Sequence, residues 1–165
     1  IHSANKFNVP RIAQMTQKTN QFNLTTKRYT EDNIWKFISD GHLVNCISVT
    51  DDFGDNGITI ASIIILNNDI KCAKVDSFLL SCRILGRKVE ICSFKFLLNT
   101  LFEKGIRKIE ADYIKTIKNT VCSRFYDEVG FEIVSESNDI KKYVLNLSEP
   151  ILLSKDYKIE FENEK

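Results

Sequence analysis

The chain has few of the residues that interrupt regular structure, with two prolines and six glycines in 165 positions. This scarcity argues against a loop-rich, collagen-like or low-complexity protein. Hydrophobic residues make up 43% of the chain and charged residues 27%, which is usual for a globular domain. The length predicts a single domain, which we place at residues 1–150. Residues 151–165 are expected to form a tail that either adds an edge strand or stays mobile.

Strong net charge and long hydrophobic runs are also missing. The 23 basic and 22 acidic residues leave a formal charge of +1, without the basic balance of a typical nucleic-acid-binding domain. No apolar run reaches the roughly 18 residues that could span a membrane, and residues 1–6 lack the pattern of a signal peptide. We therefore expect no nucleic-acid partner, no membrane contact and a cytoplasmic location. The start at Ile1 instead of Met leads us to expect either a fragment of a longer protein or a processed chain.

Metal ligands and paired cysteines are scarce as well. The chain has an odd number of cysteines, without a C-x-x-C pair, and two histidines. This pattern argues against a disulfide framework and against a zinc site. We expect no metal, and we expect the cysteines to be small buried hydrophobes in a reducing compartment; they are Cys46, Cys72, Cys82, Cys92 and Cys122. The acidic stretch 52–56 is better explained by hairpin turn chemistry than by a metal.

Hydrophobic periodicity and turn residues predict the element order α-α-β-β-β-α-β-α-β-β. Helices are predicted over residues 11–22, 30–41, 86–105 and 119–129. Strands are predicted over residues 44–50, 58–66, 70–83, 106–114, 131–136 and 143–147, with a hairpin turn at Asn56-Gly57. Because the strands are grouped and do not alternate strictly with helices, we predict an α+β fold. Its sheet is mixed and mostly antiparallel, with six to seven strands flanked by about four helices.

One candidate site lies where an apolar strand turns into a helix, over residues 78–90. Gly86 permits a close approach of the backbone to a ligand, and the amides of the first helical turn lack protein acceptors. Arg83, Arg87 and Lys88 add positive charge next to the positive end of the helix dipole. A phosphate or pyrophosphate group suits this arrangement. A plain loop with solvated basic residues is the alternative.

A second candidate site is the segment 119–131, which reads as an amphipathic helix ended by Gly130. Val121, Phe125 and Val129 are predicted to face inward. Tyr126 lies next to that buried face, so its hydroxyl could reach a cleft. The alternative is an ordinary half-buried tyrosine.

These two segments carry a resemblance to the GNAT acyltransferase superfamily. Arg83-x-x-Gly86-x-Lys88 resembles the Gln/Arg-x-x-Gly-x-Gly/Ala motif of that superfamily. The run Arg-Phe-Tyr-Asp-Glu-Val-Gly-Phe over residues 124–131 is similar to its later Phe-Tyr-x-x-x-Gly-Phe signature. One predicted helix and one predicted strand separate the two motifs, as the superfamily requires, and the resemblance covers residues 43–147.

A narrower resemblance is to the C-terminal, GNAT-like domain of FkbH-like proteins. It is carried by residues 11–30, by Asp-Phe-Gly-Asp-Asn-Gly at 52–57 and by the run from Asp76 to Glu90. The resemblance implies an upstream phosphatase-like domain of the HAD type, whose Asp-x-Asp motif is not found here. It also implies a part in loading a glyceryl-derived unit onto an acyl carrier protein in polyketide-type biosynthesis.

The superfamily resemblance implies a role for each matching residue. Backbone groups near Phe78 and Leu80 would bind the pantetheine arm of the donor. The amides from Leu85 to Lys88, through Gly86, would hold the pyrophosphate between Arg83 and Arg87. Asn119 would hydrogen-bond the pantetheine, and Tyr126 would protonate the leaving thiolate as the catalytic acid. Lys88 departs from the usual Gly or Ala, and could either crowd the phosphates or add a charge to them.

The acceptor side is not specified by any spacing. A general base with a pKa near neutrality would assist transfer to an amine or hydroxyl. The candidates are His42, Asp76, Glu110 and Asp112, and the alternative for each is a structural or solvated residue. Three interpretations of the function stay open. The first is an acyltransferase that uses acyl-coenzyme A or an acyl carrier protein as donor. The second is a non-catalytic module that binds the phosphopantetheine arm of a carrier protein. The third is a plain scaffold domain with an empty cleft.

Overall fold

The computed structural model describes residues 1–52 and 54–162, which form one eight-stranded sheet with helices on both faces. The α-helices are α1 (Val9–Lys18), α2 (Glu31–Ser39), α3 (Val89–Glu103) and α4 (Phe125–Val129). The strands are β1 (His2–Ser3), β2 (Phe22–Asn23), β3 (Leu43–Asp51), β4 (Gly54–Asn67), β5 (Cys72–Leu80), β6 (Lys108–Ile114), β7 (Glu132–Glu136) and β8 (Ile140–Asn146). Short 3-10 turns cover Cys82–Ile84 and Thr120–Cys122.

The strand order across the sheet is β1-β3-β4-β5-β6-β8-β7, and β2 pairs separately with β5. Strands β5 and β6 are parallel, because α3 connects them as a crossover. The other strand pairs are antiparallel. The predicted α+β class and the mixed, mostly antiparallel sheet are thus confirmed. The predicted six to seven strands become eight, because β1 and β2 are two-residue strands without a detectable period.

Two hydrophobic cores cover the two faces of the sheet. Helices α3 and α4 pack on one face with the larger core, in which Phe78, Phe94 and Phe125 are almost fully buried. Helices α1 and α2 pack on the other face around Ile12 and Ile34. Side chains of a strand alternate between the faces, so β5 sends Phe78 to the first core and Leu79 to the second.

An aromatic cluster dominates the larger core and joins five elements. Phe78 of β5 stacks on Phe125 of α4 with a centroid distance of 5.2 Å. Phe22 of β2 meets Phe125 edge to face at 5.3 Å. The other rings of the cluster are Phe94, Tyr126, Phe131 and Tyr143. Contacts of this geometry add to the free energy of burial, so the cluster fixes α4 against the sheet.

Several predicted boundaries are wrong. Helix α1 ends at Lys18 and not at residue 22, because Phe22 and Asn23 pair with β5. The hairpin turn is not at Asn56-Gly57, since pairing of β3 with β4 continues until Asp51 faces Gly54. The predicted strand 70–83 ends at Leu80. The predicted helix 119–129 divides into a 3-10 turn and α4, which leaves Val121 57% exposed instead of inward.

Residues 151–162 run along the surface and add no strand to the sheet, although His2 and Glu162 form an isolated bridge. The Asn99 side chain bonds the backbone of Ile151 as donor and as acceptor. The Tyr157 hydroxyl donates to the Arg87 carbonyl over 3.0 Å. The cysteines are unpaired, and four are buried as predicted, while Cys82 is exposed. Over residues 1–52 and 54–162, no helix has the length and apolar character needed to cross a membrane.

Candidate functional site

A wedge-shaped cleft forms where the two parallel strands diverge. Strands β5 and β6 pair from Cys72 opposite Lys108 to Val75 opposite Ala111, and then separate. The divergence begins at a β-bulge, since Ile64 faces Val75 and Ile63 faces Ser77. Asp76 is therefore the extra residue of the bulge. We use "the cleft" for the space between residues 76–80 of β5 and residues 112–114 of β6.

The cleft is occupied by the chain itself. We call residues 22–25 the cleft segment, and β2 is its first half. Phe22 pairs with Leu80 and Asn23 with Leu79. The Leu24 amide donates to the Phe78 carbonyl over 3.3 Å, and the Ile114 amide donates to the Leu24 carbonyl over 2.8 Å. The backbone groups predicted to bind a pantetheine arm, at Phe78 and Leu80, thus pair with this segment.

Asn119 closes the cleft segment from the α4 side. Its side-chain amide donates to the carbonyls of Asn23 and Ile114, each over 2.9 Å. Its Oδ1 accepts from the Thr116 amide over 2.8 Å and from the Tyr113 hydroxyl over 3.1 Å. The side chain is fully buried, and its hydrogen-bonding capacity is satisfied within the chain. The predicted bond from Asn119 to pantetheine would require an exchange of these partners.

The predicted phosphate loop has the expected backbone form. Gly86 has a φ of 84° and Lys88 a φ of 57°, so both lie in the left-handed region, and α3 begins at Val89. Lys88 is the N-cap of α3, and among the described residues its side chain makes no capping hydrogen bond. The first-turn amides therefore lack a side-chain cap from that position. This loop provides the turn and the helix N-terminus that an anion would need.

The basic side chains of the loop differ in their engagement. Arg83, Arg87 and Lys88 are exposed, and Leu85 is partly buried. Arg87 forms an ion pair with Asp51 at the end of β3. The Arg83 Nε donates to the Ser81 hydroxyl over a long 3.4 Å. Arg83 and Lys88 can therefore reach a phosphate with little rearrangement, whereas Arg87 would have to share its charge with Asp51.

Glu90 brings a buried carboxylate to the first turn of α3, which the sequence analysis missed. Glu90 is 9% exposed, and its Oε2 has no hydrogen-bond partner among residues 1–52 and 54–162. Burial raises the pKa of this carboxyl from its usual 4.5, and its own backbone amide, Lys88 and Glu128 modify the shift. A carboxylate in a first helical turn reads from sequence as a favourable dipole contact. Its burial depends on packing that the sequence pattern does not reveal.

Tyr126, the predicted catalytic acid, is almost completely buried. It is 1% exposed, and its hydroxyl finds no hydrogen-bond partner in the described part of the chain. Burial raises its pKa well above the usual 10.0, and the charges of Asp112 and Asp76 raise it further. Both carboxylates lie on the strands that border the cleft, so the cleft charges act on this hydroxyl. A phenol of this kind stays protonated at neutral pH.

The candidate bases on the acceptor side separate clearly in the structure. Asp76 is buried, and its carboxylate receives Lys27 at 2.5 Å and the Tyr29 hydroxyl at 2.7 Å. Asp112 pairs with Lys74 at 2.8 Å, and Glu110 pairs with Lys108 at 2.7 Å on the surface.

His42 lies away from the cleft, beside Leu43 at the start of β3. Its Nδ1 accepts the Leu66 amide over 3.3 Å at the far end of β4. The structure therefore brings Asp76 and Asp112 to the cleft and leaves His42 outside it. Over the same described residues, no group of three or more His, Cys, Asp or Glu side chains could hold a metal.

The comparisons with known proteins support the fold. No protein-family model and no curated protein matches the sequence. The ribosomal-protein-S18-alanine N-acetyltransferase of Escherichia coli aligns over 95% of this chain and 97% of its own, with a TM-score of 0.66 and 11% identity. YncA of Salmonella typhimurium, a putative acetyltransferase solved with acetyl-CoA, aligns over 93% and 96%, with a TM-score of 0.64 and 12% identity.

A third neighbour is Rv2747 of Mycobacterium tuberculosis, solved in complex with CoA. It aligns over 88% of this chain and 97% of its own, with a TM-score of 0.65 and 11% identity. Identities this low show the fold alone. The chain has the fold of the GNAT acetyltransferases, as the two sequence motifs implied.

Proposed function

We propose that this chain is an acyltransferase that takes an acyl group from a pantetheine thioester and transfers it directly to an acceptor. The observation that carries the proposal is the buried hydroxyl of Tyr126, for which the described residues provide no hydrogen-bond partner. Leaving a polar group buried in this way costs free energy. Such a cost is typical of residues kept for chemistry and not for stability.

The proposed reaction has a balanced sequence of bonds. The acceptor nucleophile attacks the thioester carbonyl, the C–S bond breaks, and the thiolate takes the proton of the Tyr126 hydroxyl. The acceptor loses its own proton to a base, for which Asp76 and Asp112 are the candidates that lie on the strands bordering the cleft. The phenol is protonated at neutral pH, so it has a proton to donate. After the products leave, the proton that the base accepted returns through solvent to the Tyr126 phenolate, which restores both groups.

Acyl-coenzyme A is the donor that the loop supports best. The left-handed Gly86 and the start of α3 offer backbone amides, and Arg83 and Lys88 offer exposed cations. These groups would hold a pyrophosphate, and the donor supplies the activated acyl group when it is bound. The FkbH-like relationship, the carrier-protein donor, the upstream HAD-type domain and the cytoplasmic location remain predictions of the sequence analysis.

The test is release of free thiol from acetyl-CoA in the presence of a panel of amine and hydroxyl acceptors. Tyr126→Phe should reduce turnover at least about tenfold, since a positioned general acid typically contributes roughly 100- to 10,000-fold. Tyr143→Phe is the matched control, because its ring packs against Tyr126 while its hydroxyl faces Asp127 at 3.4 Å. Equal turnover in wild type and Tyr126→Phe would remove Tyr126 from the mechanism.

Binding without turnover would contradict the enzymatic proposal in a different way. A ligand at about 100 times its dissociation constant should raise the free energy of unfolding by roughly 2.7 kcal/mol. Thermal denaturation with acetyl-CoA and with a phosphopantetheine-bearing carrier protein would measure this effect. A shift with the carrier protein alone, and no thiol release, would favour the non-catalytic module.

A further inference from the structure

We infer that the cleft segment, residues 22–25, is an internal lid that occupies the place of the donor's pantetheine arm and must leave before the donor binds. The inference rests on the proposed function, since it describes how the donor reaches that site. The segment was not recognised from the sequence, where it falls in a break between two helices.

The first argument is competition for the same backbone groups. A pantetheine arm is an extended chain with two amides, which an open strand edge can bind as it would bind another strand. On β5, Leu80 already pairs with Phe22, and the Phe78 carbonyl already accepts the Leu24 amide. Strand groups of this kind form one ladder on each edge. The segment and the arm therefore cannot occupy the cleft together.

The second argument is that the segment is hydrogen-bonded to both strands that border the cleft. The carbonyl of Leu24 accepts the Ile114 amide of β6, and the carbonyl of Asn23 accepts the Asn119 side chain. Phe22 is 4% exposed, and Leu24 is fully buried. The cleft between β5 and β6 is thus filled by this chain's own residues.

The third argument concerns the polar contacts of the segment and of residues 27–29 after it, which can be exchanged, while Phe22 and Leu24 also pack in the larger core. Asp76 is the anchor, because its carboxylate binds Lys27 and Tyr29 and its carbonyl accepts the Thr25 hydroxyl over 2.9 Å. The segment lies in the connection between α1 and α2, so its release need not unwind either helix. A surface pocket of about 370 Å³ lies beside Leu80 and Gln21, the residue that precedes the segment.

A reversible covalent lock tests the lid directly. Asn23 and Leu79 face each other between the hydrogen-bonded positions 22/80 and 24/78. Such a non-hydrogen-bonded pair has a Cα separation of about 4.5 Å, which is within the range of a disulfide. The double variant Asn23→Cys, Leu79→Cys would therefore be oxidised to lock the segment and reduced to free it.

The measurement is equilibrium dialysis with labelled acetyl-CoA, which has no free thiol to reduce the lock. We expect the oxidised variant to bind at least about tenfold more weakly than the same protein after reduction, because the binding-competent fraction falls. The reduced variant is the matched control, since it carries the same two substitutions. Wild type treated with the same oxidant controls for the exposed Cys82.

A second variant tests the lid in the opposite direction. Lys27→Gln removes the ion pair with Asp76 and should make acetyl-CoA binding several-fold tighter. Lys36→Gln is its control, because Lys36 is exposed on α2 and loses an equal charge. Tighter binding by Lys27→Gln than by Lys36→Gln would show that the anchor matters independently of any effect of the disulfide on folding. Equal or weaker binding by Lys27→Gln would contradict the role of Asp76 as the anchor.

The outcomes separate the lid from the proposed function. If wild type binds acetyl-CoA and the oxidised lock binds equally well, the lid is wrong and the donor site stands. Failure of the disulfide to form would also overturn the closed pairing of residues 23 and 79. If neither wild type nor any variant binds acetyl-CoA, the proposed donor fails and the lid fails with it. Weak binding when locked and strong binding when reduced supports both.

Discussion

Removal of the Tyr126 hydroxyl should make the protein more stable while it slows the proposed acyl transfer. The hydroxyl is buried, and the described residues offer it no hydrogen-bond partner, so it carries a desolvation cost of about 1–3 kcal/mol. Tyr126→Phe keeps the ring contacts with Phe131 at 5.1 Å and Tyr143 at 5.2 Å. The void left by one oxygen, about 10 Å³, costs only about 0.2 kcal/mol.

The expected net effect is a gain of about 1 kcal/mol or more in the free energy of unfolding. For a chain of this length that gain corresponds to a rise of about 2–4 °C in Tm. Urea denaturation would measure it as a higher midpoint with an unchanged slope.

Tyr113→Phe is the matched control for this stability effect, because the Tyr113 hydroxyl is equally buried but donates to Asn119 over 3.1 Å. Its removal should cost about 1 kcal/mol. A similar loss of stability in Tyr126→Phe and Tyr113→Phe would refute the reasoning, because it would mean that the Tyr126 hydroxyl is satisfied.

Three further predictions concern the stability of the protein after substitution of residues other than Tyr126. Glu90→Gln should stabilise the protein at neutral pH. Because the pKa of Glu90 is raised in the folded state, the free energy of unfolding of the wild type falls as pH rises through and above 4.5. Unfolding measured as a function of pH should lack that fall in the variant. Lys88→Gly should gain up to about 1 kcal/mol in thermal unfolding by relieving a φ of 57°, whereas Lys88→Ala should gain nothing. Thr30→Ala should lose about 1 kcal/mol, because Thr30 caps α2 in a reciprocal box with Asn33, and acetyl-CoA binding should not change.

The fold was predictable for elements that have a long hydrophobic pattern and ends set by neighbouring residues in the sequence. Helix α3 and the strands β3 to β5 follow from apolar periodicity, and the helix start at Thr30 follows from its capping chemistry. The helix predicted over 119–129 failed because the Asn119 side chain is bonded across the cleft to residue 23. A bond between residues that far apart in sequence overrides a short local pattern.

The local conformation of the candidate phosphate loop was predictable from the sequence, whereas the occupied cleft was not. The bend at Gly86 and the positive charge around it follow from local sequence. Lys88 occupies the motif position at which the superfamily usually has Gly or Ala, and its backbone is left-handed. The cleft segment could not be found, because a two-residue strand has no period and its partner, β5, is more than 50 residues away. Asp76 could be proposed as a candidate base from the sequence. Its partners Lys27 and Tyr29 could not, because they lie 49 and 47 residues earlier in the chain, in the connection between β2 and α2.

The aromatic cluster makes the cleft visible to optical methods. Phe22 contributes a ring from the cleft segment, and Tyr126 and Tyr143 contribute phenols from the opposite side. The single tryptophan, Trp35, lies on α2 and is 41% exposed, so its fluorescence would report on α2 and not on the cleft. Near-ultraviolet circular dichroism arises instead from rings held in asymmetric surroundings. A withdrawal of Phe22 should therefore appear in the tyrosine and phenylalanine bands while the tryptophan emission stays constant.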